Sequence, residues 1–139
     1  MPILSHVVEG AKPKLAAAGL ANRCDVAGGS FFEAVPPGDA YISKNIIHDW
    51  DDAHSITILK NMRRAMQGQG RVLLVEILVT PDNHHSTAVL IDLEMLHATT
   101  GGRERTEAEF SSLFRAAGLR LKRIVPTKSL FSILEAVPE

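Results

Sequence analysis

Two kinds of apolar pattern alternate along this chain, and together they predict an α/β fold. Short, nearly continuous apolar runs predict strands at residues 24–29, 39–43 and 71–79, and the last run is apolar enough for a strand covered on both faces, as in parallel sheets. Apolar residues at three- and four-residue spacing predict helices at residues 6–19, 51–66, 88–97 and 106–118. Because the strands and helices alternate, we expect a largely parallel sheet.

The ends of these elements carry recognisable signals. Asp51 or Asp52 is expected to cap the second helix, and Thr106 with Glu109 forms a capping-box pattern that opens the last one. Pro13 is expected to kink or delay the first helix. Two closing strands, at residues 119–125 and 130–137, follow each other directly and predict an antiparallel finish to the sheet.

Length and composition narrow the possible functions. The 139 residues contain no linker or repeat, so we expect one domain over residues 1–139. Fifteen basic and sixteen acidic residues give a net charge of -1, which argues against nucleic-acid and membrane partners. Cys24 is the single cysteine, which excludes an intrachain disulfide and favours a cytoplasmic setting. No apolar run reaches the roughly 20 residues of a membrane span.

His48 is the candidate for chemistry, since it follows a strand at the edge where α/β sheets bind ligands. It could be a general base, or it could simply help to start the next helix. Glu76 interrupts an apolar strand, and it is either used in a site or exposed at the strand end. Glu104 by itself is more typical of a solvated charge in a polar loop. Lys44 could extend to solvent or place a positive charge beside a cleft.

Other polar residues give weaker signals. His84 and His85 are adjacent in a polar loop with no further ligand nearby, so we predict no metal site. His97 is expected to be a packing residue. Gly28 and Gly29 end a predicted strand, but the full glycine fingerprint of a dinucleotide site is absent.

Taken together, the motifs resemble the small-molecule O-methyltransferases that use S-adenosylmethionine, the family of plant phenolic and bacterial antibiotic-pathway enzymes. The resemblance runs almost from end to end. In chain order it is carried by these segments: His-Val-Val-Glu-Gly-Ala from residue 6, Gly-Gly-Ser-Phe-Phe from 28, Gly-Asp-Ala-Tyr from 38, Lys44, His-Asp-Trp-Asp-Asp from 48, Gly-Arg-Val-Leu-Leu-Val-Glu from 70, Asp-Leu-Glu-Met-Leu from 92 and Gly-Gly-Arg-Glu-Arg-Thr-Glu from 101.

This resemblance implies a Rossmann-like class I methyltransferase sheet with helices on both faces, and a role for each matching residue. His48 would remove the proton from an acceptor hydroxyl, flanked by Glu76 and Glu104, while the acceptor oxygen attacks the sulfonium methyl group in line. Residues around S-adenosylmethionine would be Ser30, Phe31, Lys44 and Trp50. A small acceptor, phenolic or polyketide-like, would contact Asp92, Met95 and Thr99.

The sequence also departs from the family pattern. The glycine-rich cofactor loop and the helical dimerisation domain are expected upstream of Met1, and Ile3 stands near the family's ribose-binding acid. Ser30 stands where the family often has aspartate. We therefore expect an incomplete sheet with exposed edges and uncovered apolar surface, and a homo-oligomer. The alternative function is a non-catalytic methyltransferase-like module that binds a small molecule or a partner, self-associating through those edges.

Overall fold

The computed structural model describes the backbone of residues 5–80 and 86–139 and the side chains of residues 8–80 and 87–139. Ile3, His84 and His85 lie outside the described residues. The described elements, in chain order, are helix α1 (Ser5–Ala17), strand β1 (Gly38–Lys44), a 3₁₀ turn (Ile47–Asp49), α2 (Asp52–Ala65), β2 (Met66–Ile77), α3 (Ser86–Ala98), α4 (Glu107–Ala116), β3 (Leu119–Pro126) and β4 (Phe131–Pro138). None of the described helices is long and apolar enough to cross a membrane.

The four strands form one mixed sheet in the order β1-β2-β4-β3. β1 runs parallel to β2, whereas β4 is antiparallel to both β2 and β3. The α/β class and the antiparallel closing pair are thus confirmed, but only one of the three pairings is parallel. Residues 24–28 have no regular secondary structure and Gly29 forms only a single β-bridge, so the strand predicted at residues 24–29 is wrong. This segment is not part of the four-stranded sheet, and an extended segment becomes a strand only through a hydrogen-bonded neighbour.

Both capping predictions agree with the structure. The Asp51 side chain accepts a hydrogen bond from the backbone N–H of His54 at the start of α2. Thr106 and Glu109 form both bonds of the capping box at the start of α4. Pro13 lies inside α1, which continues past it to Ala17.

β2 begins directly after α2, five residues earlier than the sequence predicts. Gly70 of β2 lies close to the neighbouring strand: a Cβ atom there would lie 2.7 Å from the carbonyl oxygen of Asp39. The close backbone approach therefore requires glycine at this position.

The hydrophobic core lies between one face of the sheet and helices α2 and α4. Val72 and Leu74 of β2 are fully buried on this face and pair with Ala136 and Leu134 of β4. Leu73, which points to the other face, is only half-buried. The two faces of the sheet are therefore covered unequally, and the expectation of a strand fully covered on both sides does not hold for β2.

Candidate active site

His48 lies in a tight turn that joins the carboxyl end of β1 to α2. We call residues 46–52 the His48 turn. Asn45, just before it, adopts the left-handed conformation with φ of 53°, which turns the chain away from the strand direction. The 3₁₀ turn Ile47–Asp49 then carries His48, and Asp51 caps the following helix. The histidine is thereby held at the ligand-binding edge of the sheet.

The imidazole of His48 is bound to a carboxylate from a distant part of the chain. Nδ1 lies 2.7 Å from Oε1 of Glu104, whose side chain is fully buried, while one tenth of the His48 side chain is exposed. Nδ1–H donates to the carboxylate in this arrangement, which leaves Nε2 as the ring's proton acceptor. Nε2 lies 3.4 Å from Oδ1 of Asp49.

These carboxylates raise the pKa of His48 above its ordinary value. The hydrogen bond to Glu104 has the largest effect and outweighs burial, which acts in the opposite direction. The negative charges of Glu76, Glu104 and Asp49 add to the increase. The ring is therefore a stronger base than a free imidazole.

Glu76 lies in the interior and not at an exposed strand end. It is fully buried, and its Oε1 accepts the backbone N–H groups of Ile46 at 3.2 Å and Ile47 at 3.0 Å. Its Oε2 is buried with no hydrogen-bond partner. Burial raises the pKa of Glu76 to about 7, although the charge of His48 and the two N–H groups oppose this. Glu76 thus fixes the backbone before His48 and titrates near neutral pH.

Glu104 is also buried, so the interpretation of it as a solvated loop charge is wrong. It lies in what we call the Glu104 loop, residues 101–105, between α3 and α4. Its backbone N–H donates to Oδ1 of Asp92 at 2.8 Å. Thr99, just after α3, accepts the N–H of Gly102 at 2.8 Å and donates to the carbonyl of Met95 at 2.8 Å. The three residues predicted to contact the acceptor therefore lie along one side of α3, where two of them hold this loop.

Three of the four residues predicted to contact the cofactor come together. The rings of Phe31 and Trp50 are 6.3 Å apart, edge to face, and Ser30 directly precedes Phe31 in the chain. A cavity of about 350 Å³ is lined by residues 27–31 and 33–36 of this region. Lys44, the last residue of β1, is not in the lining of this cavity. Its Nζ lies 4.5 Å from the ring centre of Phe131. A largely apolar cavity beside aromatic rings fits the flat adenine ring of S-adenosylmethionine.

Sequence reasoning missed two residues of this site. Phe32 packs edge to face against Trp50, with ring centres 4.7 Å apart, and so completes the aromatic cluster. Arg105 is fully buried and bonds to the His48 turn. The adjacent phenylalanines and the arginines on both sides of Glu104 can be seen in the sequence. Phenylalanines, however, are more often core residues, and arginines are more often surface residues.

Within the described residues His48 is largely buried, with one tenth of its side chain exposed. Five surface cavities of the described residues, of about 280 to 460 Å³, are lined by other side chains. The described residues thus leave a small part of the ring open to an acceptor.

The described chain is thus a mixed α/β sheet with a histidine–glutamate pair at a strand end and an aromatic cluster beside it. The O-methyltransferase domain family model matches residues 3–120, and the chain belongs to this family. The family resemblance of the sequence is thus confirmed.

Individual relatives agree with this assignment. The phenazine O-methyltransferase PhzM of Lysobacter antibioticus is 46% identical over 134 residues, which are 96% of this chain and 39% of the relative. The mitomycin biosynthesis 6-O-methyltransferase of Streptomyces lavendulae is 40% identical over 121 residues, 86% of this chain and 34% of the relative. The chain thus spans little more than a third of the length of these relatives.

Solved structures show the same fold. The crystal structure of LaPhzM superposes with a TM-score of 0.90 at 45% identity, over 97% of this chain and 41% of that one. The O-methyltransferase NcsB1 from neocarzinostatin biosynthesis, solved with S-adenosylmethionine and 2-hydroxy-5-methyl naphthoic acid, superposes with a TM-score of 0.84 at 32% identity. It covers 95% of this chain and 38% of that one.

Proposed function

We propose that this chain forms the catalytic part of an S-adenosylmethionine-dependent O-methyltransferase, with His48 as the general base toward a hydroxyl of a small aromatic acceptor. The observation that carries the proposal is the 2.7 Å contact between Nδ1 of His48 and Glu104. A carboxylate on one ring nitrogen fixes the tautomer in which the other nitrogen accepts a proton.

The chain's own residues would manage the proton. A phenol has a pKa of about 10 and is mostly neutral near pH 7, so its oxygen becomes a good nucleophile only as the proton leaves. Nε2 of His48 would receive this proton, and the Glu104 carboxylate would stabilise the imidazolium. General-base assistance of this kind is worth about 10²–10⁴ in rate. Because His48 must be neutral to accept a proton, the rate of methyl transfer should increase as the pH rises through the raised pKa of His48.

The remaining predicted residues would bind the two small molecules. S-Adenosylmethionine supplies an electrophilic methyl group when bound. Ser30, Phe31 and Trp50 would contact the cofactor. A contact between the cofactor and Lys44, at the end of β1, remains a prediction. Asp92, Met95 and Thr99 would border the acceptor. A phenolic or polyketide-like acceptor is supported by the naphthoic acid named in the NcsB1 complex and by the phenazine and mitomycin names of the relatives.

We also propose a homo-oligomer working in the cytoplasm. The exposed apolar residues of β1 and α3 support self-association: Ile42 is 73% exposed and Leu96 is 74% exposed. Light scattering that shows a monodisperse monomer over a wide range of concentration would contradict the oligomer.

Two measurements on the same chain test the catalytic proposal. Calorimetry should show saturable binding of S-adenosylmethionine, and labelled methyl groups should reach a member of a phenol panel, at a rate that His48→Ala lowers by about 10²–10⁴. His97→Ala is the matched control, because His97 is exposed near the end of α3. We expect slow turnover, since so little of His48 is open to an acceptor. Absence of both binding and transfer would overturn the proposal.

A second candidate is a non-catalytic module that binds a small molecule or a partner through the same region. Ser30 in place of the usual aspartate and the narrow access to His48 favour it. Saturable cofactor binding without any transfer would support a binding module, whereas transfer that depends on His48 would exclude it.

A further inference from the structure

Arg105 is a fully buried arginine whose guanidinium group spans the His48 turn. Its Nη1 donates to the carbonyl oxygen of Ile47 at 3.1 Å, and its Nη2 donates to the carbonyl oxygen of Trp50 at 2.7 Å. Nε and Nη2 also donate to Oδ1 of Asp52, at 3.1 and 2.8 Å. One side chain therefore binds the backbone on both sides of His48 and the first residue of α2.

The backbone around Arg105 extends these connections. The N–H of Arg103 donates to the carbonyl oxygen of His48 at 2.8 Å. Arg105 itself pairs with Leu78 in a parallel bridge, and its carbonyl accepts the N–H of Val79 at 3.1 Å. The Glu104 loop is thus hydrogen-bonded to the His48 turn on one side. On the other side it is bonded to the residues that directly follow β2, the strand that carries Glu76.

The chemistry of these bonds requires a guanidinium. Buried carbonyl groups and a buried cation are costly unless they are paired, so each group depends on the others. A planar guanidinium can donate in several fixed directions at once, whereas a lysine ammonium is a compact charge that cannot span two carbonyls and a carboxylate. Substitution by lysine would keep the charge but lose the geometry.

We propose that Arg105 is a positioning residue: it holds the His48 turn against the Glu104 loop so that Nδ1 of His48 meets the Glu104 carboxylate. The inference rests on the proposed function, because this pair is the proposed base and its partner. Glu104 and Arg105 are adjacent in sequence, so the group that orients the ring and the group that fixes the turn move together. Arg105 touches neither ligand in this role.

The test is a titration of the His48 ring by NMR in three proteins: the unaltered chain, Arg105→Lys and Arg103→Lys. The His48 signal is assigned by its loss in His48→Gln. Arg103 is the matched control, since its side chain also pairs with Asp52, at 3.1 Å, but is 43% exposed and bonds to no carbonyl of the turn. Both substitutions keep the positive charge, so a change in one protein alone reports geometry.

We expect Arg105→Lys to lower the titration midpoint of His48 toward the value of about 6.5 for a free imidazole, because the bond to Glu104 is the largest cause of its raised pKa. Arg103→Lys should leave the midpoint where it is. The groups that act on His48 besides Glu104 are Glu76 and Asp49, and neither is altered. A folded Arg105→Lys protein with an unchanged midpoint would overturn the proposal, since it would show a purely structural role.

A second variant applies if Arg105→Lys does not fold. Asp52→Asn removes the charged partner of Arg105 but keeps both carbonyl bonds, and Asp52 is not among the charges that act on His48. We expect a smaller fall of the midpoint in the same direction; an unchanged midpoint in folded Asp52→Asn would count against the positioning role. Neither experiment requires methyl transfer, so a failure here is distinct from absence of cofactor binding.

Discussion

The two sides of α3 differ in whether their side chains have partners within the chain. On the inner side, Asp92 and Thr99 bind the Glu104 loop, which in turn binds the His48 turn through buried polar contacts. On the outer side, Leu90, Leu93 and Leu96 form an exposed apolar stripe. They fall on one face of the helix because they recur at three-residue spacing.

This difference separates the part of the molecule whose geometry the chain fixes by itself from the part that is open to contact with another protein segment. The histidine and its acids are fixed by contacts within the described residues, so their geometry should not depend on a partner. Exposed leucines on one helix face are typical of a surface that another protein segment covers. We therefore expect substitutions on the inner side to change stability and the properties of His48, and substitutions on the outer side to change association.

The largest expected effect comes from the core beneath the Glu104 loop. Phe110 of α4 is fully buried, so Phe110→Ala should lower the free energy of unfolding by about 3–5 kcal/mol. Leu96→Ala, on the outer side of α3, is the control and should change it by less than about 0.5 kcal/mol. Urea unfolding measures both, and similar losses in the two variants would contradict the distinction between the sides.

Glu76→Gln should stabilise the chain, but only at high pH. The folded pKa of about 7 lies above the ordinary value of 4.5, so between these values the folded chain holds a proton that the unfolded chain has released. Stability is therefore lost as pH rises through this range, by roughly 3 kcal/mol in total. Glutamine keeps an oxygen for the two N–H groups and has no charge to bury. We expect up to about 3 kcal/mol more stability at pH 8 and no gain at pH 4, measured by urea unfolding.

Glu135→Gln gives the opposite sign and is the matched control. Glu135 is also buried, but its hydrogen bond to Arg123, with the charges of Arg123 and Lys122, lowers its pKa. Its charged form is thus favoured in the folded chain, so the substitution should destabilise the protein at pH 8. A loss of stability in Glu76→Gln at that pH would show that Glu76 is held charged.

Gly102→Ala should disturb the contact between the Glu104 loop and the His48 turn. An added Cβ would overlap Oγ1 of Thr99 and lie 2.5 Å from the carbonyl oxygen of His48. Such overpacking costs about 1–3 kcal/mol, and the His48 ring signals should shift in NMR spectra. Gly10→Ala in α1 meets open space and should be neutral or stabilise by up to about 1 kcal/mol. Unchanged His48 signals in Gly102→Ala would show that the loop does not set the turn.

The sequence predicts local structure well and long-range polar contacts poorly. Capping residues such as Asp51 and Thr106 act within a few positions, so their spacing alone indicates a helix start. The burial of Glu104 depends on its contact with His48, which lies 56 positions away in sequence. No local sequence pattern indicates a contact over that separation. The absence of the strand at residues 24–28 has the same origin, since strand formation depends on a neighbour.

Arg105 shows why the candidate site could not be predicted fully from the sequence. It stands in a run of charged residues, which by composition is typical of a solvated loop, yet it is fully buried. Only the three-dimensional position of two carbonyl groups and one carboxylate explains why a charge is stable there. The residue pattern and the family resemblance indicated His48, Glu76 and Glu104, but neither indicated that Arg105 holds the backbone of the His48 turn.

The smallest expected effect on stability tests the outer side of α3. Leu93→Glu replaces an exposed leucine, so the free energy of unfolding should change by less than about 0.5 kcal/mol. Self-association should decrease, since a charge in an apolar contact must be desolvated. Light scattering over a range of concentrations measures this, with Ala98→Glu as control: it adds the same charge to the same helix on a different face. If both variants reduced the associated mass equally, net charge rather than the leucine stripe would control association.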